Sequence, residues 1–415
     1  MPSMEERLAS LEFHKEEMVQ ALGEIVRVPA IGPENGGDGE FARSRMIKDM
    51  LDRCGFDEVE IMEILDERVK LKSRPNIVAR KKGKSDQMVW FVVHMDTVPP
   101  GDLKAWTYPP FSPRLIDGKL YGLGTEDNGQ ALIASIFAAK LINDVATGPE
   151  LGLGIVVVAD EEMGSDKGIK FLLQENVFKK GDIIYVPDFG APDGSIIEVA
   201  EKTIMWLKVN VHGKQTHAST PNKGLNAMKV GSELVAFIVD YMDRKYGKNN
   251  ALYDPPISTY EPTKHLLNVA NINTIPGEDV FYLDFRILPE YDPDEIMKTM
   301  RWIADLFEDK TGAKIEIEIA QLTRSGKPSS TESQGFKVLA ESVKKLRGFE
   351  PKAGGVGGGT CANFFRLAGM EAYAWSTIDE VMHSPNEYCK VENLLADAKV
   401  FAMVMATLCY PGQFT

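Results

Sequence analysis

The order of apolar runs predicts an α/β protein, a layered sheet flanked by helices, with a smaller α+β domain inserted into it. Three observations carry this. Strand-like and helix-like stretches alternate from residue 59 to about residue 196. From Thr203 the order becomes β-α-β-α-β, and beyond residue 331 the alternating pattern returns. A chain of 415 residues with 44% hydrophobic content exceeds one ordinary core, so two domains are expected. Residues 1–202 and 321–415 form the first, and 203–320 the insert.

Leu8, Leu11, Met18, Leu22 and Ile25 fall near one face at helical spacing, and Pro29 ends that segment. A second helix is expected over 40–53, with Gly55 as its stop. Strands follow at 59–65, 76–81 and 89–94. Residues 129–145, rich in Ala, Leu and Ile, read as a buried helix. The β-branched run 154–159 reads as a buried strand, followed by a helix over 167–174 and strands at 183–186 and from about Ile196.

In the insert, residues 203–211, 268–287 and 314–319 read as strands, with helices over 225–244 and 294–307. Ser325 begins a Ser-Gly-Lys-Pro-Ser-Ser-Thr linker. Then come a helix over 334–347, a glycine-rich loop, a helix over 361–367, a strand at 372–375 and a terminal helix from Glu392. No internal repeat or low-complexity tract is evident.

A net charge of -14 without a basic stripe excludes nucleic acid and anionic membrane surfaces as expected partners and points to a small-molecule substrate. Cys54, Cys361, Cys389 and Cys409 are scattered without C-x-x-C spacing, which fits core thiols in a reducing compartment. The N-terminal residues carry Glu5, Glu6, Glu16 and Glu17, unlike a signal or transit peptide. No uncharged run approaches the roughly 18 apolar residues of a membrane helix. A soluble, cytoplasmic protein is therefore expected.

Asp160, Glu161 and Glu162 follow the 154–159 run, at a strand's carboxyl end. An isolated acidic triplet is ordinarily a solvated turn, but three adjacent charges at the mouth of a buried strand call for a basic cluster or a metal ion. His94 and Asp96 end another strand. Alternation would put both on one face, where the Asp96 carboxylate can accept the second N–H of a metal-bound imidazole. Asp127 lies between glycines and a helix start, where an N-cap is the plain alternative. Asp188 follows the 183–186 strand, and His383 follows the last predicted strand. His94, Asp127, Glu161 or Glu162, Asp188 and His383 thus come from separate loops at one sheet edge, where open α/β sheets place ligands. Two imidazoles and several carboxylates without a thiolate suit a co-catalytic zinc pair. His14, His212 and His265 fit no such constellation, and Trp106 reads as packing its loop or lining the pocket.

These motifs resemble the di-zinc amidohydrolases that include aminoacylase, carboxypeptidase G, succinyl-diaminopimelate desuccinylase and acetylornithine deacetylase. His94-Met-Asp-Thr-Val-Pro99 resembles the family's H-x-D-x-V-P, Gly122-Leu-Gly-Thr-Glu-Asp127 its bridging-aspartate motif, and Asp160-Glu-Glu-Met-Gly164 its D-E-E-x-G. The resemblance implies a zinc-peptidase-like catalytic domain with a central, mostly parallel sheet, plus an α+β lid that also dimerises. It implies one metal on His94, Asp127 and Asp188, the other on Asp127, Glu162 and His383, with Glu161 as general base and Asp96 orienting His94. Two zinc ions are implied, for which cobalt or manganese can substitute. The family's usual arginine between the glycines and lysine after the aspartate are absent; Leu123 and Asn128-Gly-Gln130 stand there instead.

In the lid, the resemblance implies that His217 stabilises the oxyanion, from the partner subunit in dimeric relatives, and that Asn273 belongs to the same region. Arg286 matches an arginine that grips a substrate carboxylate, and Gly359 and Thr360 a loop binding the same substrate end. The plain alternatives are a capped turn for His217 and a salt bridge within the sheet for Arg286. The implied reaction is hydrolysis of the amide bond of an N-acyl amino acid or short peptide. A desuccinylase- or deacetylase-like activity stands beside a dipeptidase or carboxypeptidase, and a fold-retaining binding protein is the alternative from another class.

Overall fold

The computed structural model describes residues 3–144 and 148–414, so Val145, the expected end of one helix, lies outside the described residues. The chain divides into two compact units, 1–199 with 328–353 and 360–415, and 200–327 with 354–359. Gly359 thus falls in the second unit and Thr360 in the first.

The first unit is built on a six-stranded sheet in the order Glu58–Leu65, Ser73–Lys81, Gly152–Val158, Met88–His94, Ile183–Tyr185, Ala372–Tyr373. The first two pairings are antiparallel, and the three that follow are parallel. Every residue of Gly152–Val158 is buried, which explains a continuous β-branched run where a half-exposed strand would alternate. Helix Ala131–Asn143 is buried nearly all round and packs against Val391–Cys409, which also meets Gln334–Arg347. The sheet therefore presents the ends of Met88–His94, Gly152–Val158 and Ile183–Tyr185 at one edge.

The N-terminal segment is not one helix. Met4–Ser10, started by a Ser3/Glu6 capping box, passes through a tighter turn at Leu11–His14 into Lys15–Val26. The change of pitch leaves Leu8, Leu11, Met18, Leu22 and Ile25 all buried. The expected strand at 372–375 is shorter. After Ala372–Tyr373 the chain leaves Ile183–Tyr185, Ala374 bridges Glu198, and Ser376–Thr377 pairs with Gly190–Ala191. Arg114–Ile116, Lys119–Tyr121 and Tyr388–Lys390 form a further small sheet. Three-residue strands carry too little periodicity to be read from sequence.

The second unit has an antiparallel sheet in the order Thr259–His265, Glu278–Ile287, Thr203–His212, Lys314–Thr323. Met205, Leu207, Val209 and Val211 alternate onto one face, where they join Leu234 and Ile238 of helix Ala227–Lys245 and Ile296, Met300 and Ile303 of helix Pro293–Thr311. The expected strand over 268–287 is corrected at its start. Asn268 bonds Asp279 and the Val269 N–H, while Asn271 bonds Asn273 and Thr274, so local amide bonds replace strand pairing up to Thr274–Ile275. Strand Thr259–His265 contains Pro262, which reads as a breaker but is tolerated at a sheet edge. Among the described residues, no helix is long and apolar enough to cross a membrane.

In the first unit, the Trp90 ring lies over Gly154 and meets Phe178 edge-on at 5.3 Å, while its Nε1–H donates to Asp182 at 2.9 Å. A Cβ on Gly154 would sit 2.1 Å from that ring. Gly154→Ala is expected to lower stability by about 1–3 kcal/mol, read as an earlier midpoint in urea unfolding.

Candidate metal centre

Strand Met88–His94 ends at His94, so alternation does not extend to Asp96. His94 Nδ1 donates instead to the Asp96 main-chain oxygen at 3.1 Å, with the Asp96 carboxylate 3.6 Å away. That carboxylate accepts the N–H groups of Glu161 and Glu162, each at 3.1 Å, and so holds the acidic turn to the end of the neighbouring strand. With Nδ1 engaged, His94 Nε2 points to Asp127 Oδ1 at 2.8 Å and to Asp188 Oδ1 at 3.5 Å.

The other oxygen of Asp127 faces His383 Nε2 at 3.1 Å, and Glu162 lies 3.1 Å from the same nitrogen. Ligand atoms of His94, Asp127 and Asp188 lie within 4.8 Å of one another, as do those of Asp127, Glu162 and His383. Each triad can hold one cation, with Asp127 common to both.

The charges are crowded. Burial raises the Glu161 carboxyl well above the ordinary carboxylate range, and the Asp188 charge adds to it. Burial likewise raises Glu162 and Asp188. Burial acts in the same direction on Asp127, but hydrogen bonds from His383 and His94 outweigh it and hold that carboxyl low. His383 is pushed up to about 10 by its hydrogen bonds to Asp127 and Glu162. A divalent ion in each triad would relieve this crowding. The donor set of imidazole nitrogens and carboxylate oxygens, with one carboxylate shared, fits a pair of zinc-like ions.

Asp160 turns away from the triads. It is buried, in the left-handed region at φ 64°, and its carboxylate accepts the Lys167 N–H at 2.8 Å and faces Arg74 at 3.3 Å. Arg74 is fully buried, bidentate to Glu40 at 2.6 and 2.7 Å, and 3.4 Å from Asp66. Arg74 is thus the counter-charge of Asp160, while Glu161 and Glu162 stand at triads whose side chains can hold a cation. Buried Asn76 accepts the Ala159 N–H at 3.0 Å and donates to the Lys167 carbonyl at 2.8 Å, pinning both ends of the turn.

Sequence reasoning passed over several supports. Glu126, Asn128 and Glu387 are buried and bond the loops that carry Asp127, Asp188 and His383. Two of them flank Asp127, where the departure from the family motif was visible.

The remaining candidates are spread over both units. In the second, His217 is exposed, and its Nδ1 accepts the Ser219 N–H at 3.1 Å, which leaves the neutral ring's proton on Nε2. The Asn273 side chain accepts from Asn271 at 2.6 Å, and its main-chain oxygen accepts the Ala218 N–H. Arg286 is bidentate to Asp284 at 2.7 and 3.0 Å and donates to the Gly357 carbonyl at 2.7 Å, so the salt bridge within the sheet is present. The Cβ position of Gly359 lies 3.6 Å from Glu201. In the first unit, Thr360 caps helix Cys361–Leu367 by accepting the Ala362 N–H. Trp106 donates to the Pro100 carbonyl and holds its loop.

Comparison with known proteins adds three findings. Residues 90–407 match the model of peptidase family M20/M25/M40. An uncharacterized metallohydrolase of Methanocaldococcus jannaschii is 35% identical over 409 residues, which span 94% of this chain and 99% of the relative. Human carnosine dipeptidase 1 shares the fold at a TM-score of 0.73 with 18% identity, over 98% of both chains. A dinuclear metal-binding peptidase of Bacillus subtilis shares it at 0.67 with 13% identity, over 96% of this chain and 99% of that one.

Arg74 is the buried cation on which Glu40 and Asp160 depend. Arg74→Met is expected to cost about 3–5 kcal/mol in urea unfolding, because it leaves buried carboxylates without their partner.

Proposed function

The chain belongs to the M20/M25/M40 peptidase family, and from that premise we propose that it hydrolyses the amide bond of an N-acyl amino acid or a short peptide. The observation that carries the reading is the pair of ligand triads sharing Asp127, with Glu161 next to one of them and a member of neither. On this reading His94, Asp127 and Asp188 hold one zinc ion, and Asp127, Glu162 and His383 the other, with cobalt or manganese able to substitute.

Bound there, the metal pair would supply Lewis acidity, polarising the scissile carbonyl and lowering the pKa of the attacking water. Glu161 takes the proton from that water and returns it to the leaving amine nitrogen. The Asp96 carboxylate accepts the main-chain N–H groups of Glu161 and Glu162 and so holds the turn that carries both side chains. The Nε2–H of His217 is suited to the developing oxyanion, acting within the chain or from a second copy joined through the lid at 203–320, with Asn273 beside it across the pairing of Thr216–His217 with Thr274–Ile275. Arg286 keeps an N–H on each terminal nitrogen beyond its bonds to Asp284 and Gly357, and these suit a substrate carboxylate near Gly359 and Thr360. Deacylation of an acyl amino acid and cleavage of a dipeptide or C-terminal residue both use this arrangement.

Elemental analysis should find two metal ions per chain, and a hydrolysis screen over N-acyl amino acids and dipeptides should return turnover. Glu161→Ala is expected to lower kcat by about 10²–10⁴-fold while both metals stay bound. Glu162→Ala should instead lose one metal. A near-normal rate in Glu161→Ala would remove the base assignment. A metal-free protein that binds but never cleaves members of the panel would favour the binding-protein alternative.

A further inference from the structure

We propose that Glu126 and Asn128, on either side of the shared Asp127, are positioning residues that each serve a different metal. This rests on the metal reading above. Asn128 reaches from the Asp127 loop to both other ligands of one metal, and Glu126 to the segment carrying His383, a ligand of the other.

Glu126 is 3% exposed, and its two oxygens accept the N–H groups of Asp379, at 2.5 Å, and Val381, at 2.7 Å. Those groups belong to the stretch leading into His383, whose φ of 57° requires a backbone held from outside. The contact is returned: Glu387, four residues beyond His383, accepts the N–H groups of Gly124 and Glu126 at 2.8 Å and of Asp127 at 3.1 Å. Two buried carboxylates, one from each segment, thus bind the other segment's backbone. The separation of Asp127 from His383 is set by that exchange.

Asn128 is 4% exposed and works on the opposite side. Its Nδ2 donates to Asp188 Oδ1 at 2.7 Å and to the Pro187 carbonyl at 3.0 Å, and its Oδ1 faces the His94 N–H at 3.4 Å. One primary amide therefore links His94 and Asp188, and its own backbone adjoins Asp127. The chemistry of each position follows. Two converging N–H donors need a carboxylate, whereas a carboxylate oxygen and a carbonyl on one side with an N–H on the other need an amide. The triplet Glu126-Asp127-Asn128 is thus one ligand between two supports.

The test is zinc binding by the full-length, metal-stripped chain in competition with a chromogenic chelator. It is read in two backgrounds, Glu162→Ala, which keeps the His94/Asp127/Asp188 triad, and Asp188→Ala, which keeps the Asp127/Glu162/His383 triad. Asn128→Ala is expected to weaken zinc about 10–100-fold in the first background and little in the second, and Glu126→Gln the reverse. Glu126→Ala and Asn128→Leu serve if either first variant fails to fold, as judged by circular dichroism of the metal-free chain. Equal weakening at both triads would mark a general structural role, and unchanged affinity no role; either overturns the proposal while leaving two zinc ions in the unsubstituted protein. Failure of the unsubstituted chain to bind zinc would overturn the metal reading itself, and this proposal with it.

Discussion

Asp127, Glu161, Glu162 and Asp188 crowd against two imidazoles at one edge of a buried sheet, and much of the first unit answers the resulting repulsion. Carboxyl groups so placed raise one another's proton affinity, and burial strengthens the effect. The imidazoles offset part of it. The remainder sets what the site can accept, namely small divalent cations bound by nitrogen and oxygen, and it makes geometry decisive because a misplaced carboxylate would repel its neighbours instead of sharing an ion with them.

Acids outside the triads take a different role. Asp96, Asp160, Glu126 and Glu387 accept main-chain N–H groups of the ligand-bearing loops. A carboxylate can accept several donors at once, and each converging N–H group favours its charged form. Asp160 has in addition the buried guanidinium of Arg74. The surplus acid of the sequence is thus partly structural, holding loops whose conformations, left-handed at Asp160 and His383, would not persist alone.

The second unit follows simpler rules. Its core is made by alternation along the strands and by one face of each of two helices, and its polar residues of interest already have partners. His217 is fixed by Ser219 with one ring N–H outward, and Arg286 is braced by Asp284. Both are preorganised, which suits groups proposed to meet a substrate.

Long periodic segments were legible without coordinates. Helix Gln334–Arg347 and the buried run Gly152–Val158 declare themselves by period and composition, and His94, Asp127, Asp188, His383 and the pair Glu161 and Glu162 by their place after strands or glycine turns, whereas the choice of Glu162 as a ligand rests on the family resemblance. Short strands such as Lys119–Tyr121 were not, because three residues carry too little periodicity, nor was the edge strand around Pro262, because a proline reads as a breaker. The bond from the His94 ring to the Asp96 main chain depended on where a strand stops, which alternation cannot reveal.

The sequence by itself determined the residue types of the site and their placement at strand ends and acid-rich turns, since these are local properties. Only the tertiary structure set Asp160 apart from its neighbours. Asp160, Glu161 and Glu162 are adjacent and nearly alike in chemistry. Arg74, 86 residues from Asp160, separates the first from the other two, because the role of a buried charge is set by whichever partner the fold brings within a few ångströms.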